Sequence, residues 1–138
     1  MEKIDFYKDK ARGTINPKLF SGVAEQVASK VAQSGQKTGR DEQVRLESNR
    51  RTQIRKFFDE VTSLNATARS SPEDWDNIIP YVNMLIAKAA YAHGRNRLVT
   101  QEFVDMLKQC VQQIQEPKDL DVFANFFEAF MGFYRQYD

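Results

Sequence analysis

The sequence predicts an all-α protein, a compact single-domain bundle of about five helices. Three observations lead there. Apolar residues recur at helical spacing over long segments, helix start and stop signals separate those segments, and nothing reads as a strand. At 138 residues, 41% apolar and 28% charged, the chain can bury one core as an ordinary globular domain. No stretch nears the ~18 apolar residues that span a bilayer. The start, Met1-Glu2-Lys3-Ile4-Asp5, has no apolar signal core, so a cytoplasmic location without membrane contact is expected. The single cysteine, Cys110, cannot form an intramolecular disulfide, and reads as a small core residue in a reducing compartment.

The elements follow in order. Residues 1–16 are weakly patterned and leave a short helix and a mobile arm both open. Asn16-Pro17 resembles a helix start, after which Leu19, Phe20, Val23, Val27 and Val31 fall at helical spacing. Ser34 to Gly39 reads as a flexible linker. The expected division is therefore 1–40, an N-terminal helix and linker, and 41–138, the helical bundle. A long helix is predicted from Glu42 or Ser48 to Ala66, with Ile54, Phe57, Phe58, Val61 and Leu64 on its apolar face. Ser71-Pro72-Glu73-Asp74 starts the next, where a kink or a short break is expected at Pro80. Between Tyr81 and Ala92 only Asn83 and Lys88 are strongly polar, which places this helix in the middle of the bundle, with Gly94 as its left-handed terminator. Thr100 caps a helix carrying Phe103, Val104, Leu107, Cys110, Val111 and Ile114. Pro117 opens the last, whose stripe runs Phe123, Phe126, Phe127, Phe130, Phe133, Tyr134 and Tyr137.

No catalytic constellation can be assembled. One histidine and one cysteine exclude the familiar zinc spacings. The Gly35–Gly39 stretch is not followed by the Lys-Ser/Thr of a phosphate loop and no strand precedes it, and Cys110 lies on an apolar helix face away from a helix-end His93. Asp119 and Asp121 mark a helix N-terminus more naturally than an acid–base pair. No cofactor is expected.

Charge is polarised although the net value is only +1. Arg45 to Lys56 holds five bases against one acid, Glu47, whereas Val99 to the end holds seven acids against three bases. Arg51 and Arg55 stand four apart, where like charges repel by a few tenths of a kcal/mol unless an anion lies between them. Arginine forks at helical pitch can follow a nucleic-acid backbone. A solvated helix face with Asp59 and Glu60 as local partners explains the same residues. In the second cluster Arg95 and Arg97 follow a helix C-terminus, where cations are favourable anyway. Lys88 either snorkels from its apolar helix or points into a polar groove.

Three blocks, Gln53-Ile54-Arg55-Lys56-Phe57-Phe58-Asp59-Glu60-Val61, Ala89-Ala90-Tyr91-Ala92-His93-Gly94-Arg95, and Phe126-Phe127-Glu128-Ala129 with its aromatic tail to Tyr134, stand in an order and spacing that resembles the small subunit of type III-A CRISPR effector (Csm) complexes. The resemblance runs from Arg45 to Tyr137. It implies a non-catalytic helical bundle of the antiviral machinery that stacks with copies of itself as an inner filament, beside the backbone subunits and the large subunit. It also implies that a basic face contacts the backbones of guide RNA and target RNA. Residue by residue, that role would fall on Arg50, Arg51, Arg55 and Lys56 in the first block and on Lys88, Arg95 and Arg97 around the second. Glu128 and the aromatic stripe are expected in the core. Gly132 and Phe133 stand where the family pattern has alanine and tyrosine, and Gly132 is expected at a close helix contact. Two alternatives remain open at this point, a helical protein–protein adaptor with no RNA role and, more weakly, a helical DNA-binding domain. The latter lacks a short helix-turn-helix pair.

Overall fold

A computed structural model describes residues 3–138. The described residues form five α-helices: α1 (Ala24–Gly35), α2 (Arg51–Ser70), α3 (Trp75–Gly94), α4 (Gln101–Val111) and α5 (Pro117–Tyr134). The all-α expectation holds, with two small additions. A hairpin pairs β1 (Tyr7–Asp9) with β2 (Thr14–Ile15), and a second pairs β3 (Gln36–Thr38) with β4 (Val44–Leu46) in antiparallel register. A π-helical turn over Leu19–Val23 leads into α1.

The hub of the bundle is α5, which packs against α1 and α2, while α4 joins α1 to α3. Its phenylalanines at helical spacing explain why. Phe127 meets Phe58 of α2 at 5.5 Å and Phe130 of its own helix at 5.7 Å between ring centres, and Phe130 stacks on Tyr134 at 5.1 Å. Edge-on and offset rings of this kind add about 0.5–1.5 kcal/mol each beyond the area they bury. Glu116 and Asp119 form a reciprocal capping box that starts α5, as the acids there foretold. Glu128, expected in the core, is exposed, because it falls on the face of α5 opposite the rings.

Residues between 3 and 40 contribute to the core. Ile4, Phe6, Leu19, Val27 and Val31 are all buried in the common core. The Ile4 and Phe6 N–H groups donate to the side chains of Gln109 and Gln113 at 2.8 and 3.0 Å, and Phe6 stacks on Phe123. Tyr7 Oη donates to the buried Asp119 at 2.6 Å; burial, then the carboxylate, pushes its pKa up. Neither a short helix nor a mobile arm describes residues 3–16, and residues 1 and 2 of that segment lie outside the described residues. The Ser34–Gly39 linker is likewise structured: Gly35 ends α1 in the core and accepts from the Glu47 and Ser48 N–H groups. A Cβ at Gly35 would collide with the Ser48 carbonyl, so this glycine is needed for close approach. Consequently α2 begins at Arg51 and not at Glu42 or Ser48.

Four local expectations about helices are also corrected. α3 lies at the edge of the bundle. Its inward positions Ile78, Val82, Leu85 and Ala89 are buried, but Tyr81, Met84 and Tyr91 are 56%, 46% and 69% exposed. Pro80, in its second turn, does not interrupt it. The left-handed residues after α3 are Asn96 and Arg97, with φ of 54° and 51°, rather than Gly94. Gly132 makes no close contact, since a Cβ there meets nothing within 4 Å.

Candidate nucleic-acid interface

The seven cations singled out by sequence separate into groups once α2 is folded. Gln53, Lys56 and Glu60 sit at i, i+3 and i+7, so they share the flank of α2 that faces α3. Opposite them, Lys88 and Arg95 flank Tyr91 on α3 at i−3 and i+4. These side chains, with Phe57, Ala92 and Leu98 beneath, line one groove of ≈ 200 Å³. Lys56, Lys88 and Arg95 thus converge from two helices. Lys88 Nζ donates to Glu60 at 2.5 Å, whereas Lys56 and Arg95 make no ion pair among the described residues.

The favourable position of Arg95 at a helix end does not account for it fully. The Arg95 N–H itself satisfies the Tyr91 carbonyl at 3.0 Å, and the Leu98 N–H satisfies that of Ala92 at 3.1 Å. With those acceptors occupied, the guanidinium is left facing the groove. Arg97 lies in the same α3–α4 turn, exposed and without an ion pair among the described residues.

Arg50 does not line this groove. It lines a second, more open basin of ≈ 490 Å³ together with Lys37, Arg40 and Arg45 of the β3–β4 hairpin. Lys37 pairs with Glu47 at 3.6 Å and Arg45 forks onto Asp41 at 2.6 and 3.1 Å, holding that carboxyl below its ordinary range. Arg40 makes no ion pair among the described residues. Alternation of Val44, Arg45 and Leu46 beside the Gly39 turn was the available signal for this hairpin and its cations.

Arg51 and Arg55 are not brought to the groove. They occupy the other flank of α2, the side on which Phe58 meets Phe127 of α5. Arg55 stands 3.9 Å from Asp59, with both side chains more than half exposed. The Arg51 N–H donates to Asp138 Oδ2 at 2.6 Å, and Arg50 Nε donates to the same oxygen at 3.3 Å. Burial pushes the Asp138 carboxyl up, but the Arg51 N–H and the Arg50 guanidinium outweigh it and hold the pKa below the usual carboxylate value.

Asn49 positions this whole edge and was not foreseen. It is fully buried at φ 59°. Its Nδ2 donates to the Val31 carbonyl at 2.9 Å and to Thr100 Oγ1 at 2.8 Å, and its Oδ1 accepts from the Thr100 N–H at 2.8 Å. Its N–H donates to the Leu98 carbonyl at 3.0 Å, and its own carbonyl accepts from Tyr134 Oη at 2.7 Å. One residue therefore ties α1, the α3–α4 turn, the start of α4 and the end of α5 to the start of α2. Thr100, expected to cap α4 with its side chain, spends its hydroxyl on Asn49 and Ser34 instead.

A family model described as Csm2 Type III-A matches residues 25–138. The chain belongs to the Csm2 family. It is a small subunit of the type III-A CRISPR effector complex. No curated protein and no solved structure matches it. The matched range takes in all five helices, the β3–β4 hairpin and both cationic basins of this Csm2-family chain. No helix among the described residues is long and apolar enough to cross a membrane.

Proposed function

We propose that this Csm2-family subunit is non-catalytic, stacks with copies of itself beside the backbone and large subunits, and holds guide and target RNA by their backbones. The observation that carries the reading is the convergence of Lys56, Lys88 and Arg95 on one groove between α2 and α3, with a second basin lined by Arg50 and the hairpin cations ahead of α2. Ammonium and guanidinium groups in a row neutralise successive phosphates without reading sequence. Of the remaining candidates, Arg97 extends the row at the α3–α4 turn, and Arg51 and Arg55 form a separate contact on the α5 side of α2.

Lack of catalysis is supported by the state of the two reactive side chains. Burial pushes the Cys110 thiol up, away from thiolate, and His93 Nδ1 lies 3.0 Å from the Val99 carbonyl. The alternative of a protein-only adaptor draws on one observation, the apolar outward face of α3 at Tyr81 and Met84. Salt dependence separates the readings. Binding of short RNAs of unrelated sequence should weaken together as salt rises, log K falling by about 0.7 per phosphate neutralised. Absence of RNA binding by the folded chain at low salt, with retained binding to complex subunits, would leave the adaptor.

A further inference from the structure

The groove between α2 and α3 is not simply a cationic channel, and its floor has a different chemistry from its rim. Phe57, Ala92, Leu98 and Tyr91 make an apolar slot, while Lys56 and Arg95 stand around it without an ion pair among the described residues and Lys88 stands there paired with Glu60. Its ≈ 200 Å³ corresponds to about seven water volumes, the scale of a single heterocycle. A phosphate alone has no use for such a floor.

Tyr91 is the second observation. It is 69% exposed, and among the described residues it has no ring contact and its hydroxyl no hydrogen bond. Most α5 aromatics pack against a neighbouring ring, whereas Tyr91 lines the groove between Lys88 of α3 and Arg95 just past its end. Gln53, at the opposite wall, leaves its side-chain amide without a hydrogen-bond partner among the described residues. An amide can offer a donor or an acceptor to a base edge by rotating.

Resting on the RNA reading above, we infer that this groove takes one unstacked nucleobase of a single-stranded RNA segment. The base lies against the Tyr91 ring, Gln53 meets its edge, and Lys56, Lys88 and Arg95 engage the flanking phosphates. Charge complementarity selects a polyanion, and the flat apolar slot selects an aromatic plate within it. Because every base has a π face, the pocket discriminates unstacked from stacked bases and not one base from another.

The test uses the full chain and a single-stranded oligouridine carrying 2-aminopurine, whose fluorescence falls when the base stacks on a tyrosine. The wild-type chain should quench it on binding, and should do so far less with the same strand in a duplex, where the base is already stacked. Tyr91→Ala should abolish the quench and weaken single-strand binding by roughly tenfold. Tyr91→Phe should restore both, which a loss of fold in the alanine variant could not explain. Tyr91→Ala binding with wild-type affinity and an unquenched probe in both proteins would overturn the base pocket and leave the backbone reading standing. A folded wild-type chain that binds no RNA at all would remove both.

Discussion

Asn49 carries more structural consequence than any cation of the interface, although it bears no charge. Its side chain bonds two separate segments, Val31 of α1 and Thr100 at the start of α4, in the buried region just ahead of Arg50. Asn49→Ala takes the acceptor from the Thr100 N–H, leaves the Val31 carbonyl and Thr100 hydroxyl with Ser34 Oγ alone in place of the lost amide, and puts an alanine at φ 59°. Unsatisfied buried groups cost about 1–3 kcal/mol each, so chemical denaturation should show a loss of roughly 2–4 kcal/mol. Asp138 acts at the same edge with a titratable group. Its folded pKa is depressed, so its contribution is complete above the unfolded value near ~3.9 and disappears as pH falls through the folded value. Asp138→Ala should remove up to about 1 kcal/mol at neutral pH, as loss of an N-terminal helix cap does, and flatten the acid limb of the stability profile. An unchanged acid limb would show that the contact with Arg50 and Arg51 is not formed in solution.

At the scale of the elements, sidedness decides what hydropathy alone leaves ambiguous. α3 is apolar on both faces, and from composition it reads as a central helix. Only its inward row of Ile78, Val82, Leu85 and Ala89 is covered, because the hub position is taken by α5 and its stack of rings. α2 was legible as a helix with a basic flank, but its register relative to α3 was not. Lys56 and Arg55 are neighbours in sequence, yet 100° of helical rotation sends one to the α3 groove and the other to the α5 side. The three cations that converge belong to two segments about thirty residues apart, a juxtaposition that only tertiary packing produces. Within α5, Gly132 sits in a helix interior with open space around it. Gly132→Ala should therefore raise stability by about 0.5–1 kcal/mol, seen as a melting temperature a few degrees higher. A lower melting temperature would reveal a neighbour that the isolated fold does not show.

Across the whole molecule, five helices were readable because each carries a long apolar period, a starting residue pattern, or both. The N-terminal segment was not, for a physical reason. Ile4 and Phe6, just ahead of β1, are too short an apolar pattern to mark a buried segment, and what fixes them are the amide side chains of Gln109 and Gln113, more than a hundred positions away. Family membership was legible in three short blocks, and the match over residues 25–138 bears it out. The fold then sets the α4–α5 half, in which acids outnumber bases, beside the cations that the β3–β4 hairpin, α2 and the end of α3 bring to the two basins. The central claim is that the α2–α3 groove holds RNA phosphates, and paired charge reversals test it most directly. Salt titrations of RNA binding should be compared for Lys56→Glu with Arg95→Glu, for Arg51→Glu with Arg55→Glu, and for the unaltered chain. The groove pair should lower affinity strongly and reduce the slope of log K against log salt by about 1.4, two single-strand phosphates' worth. A groove pair that folds normally and keeps the unaltered affinity and slope would contradict the account.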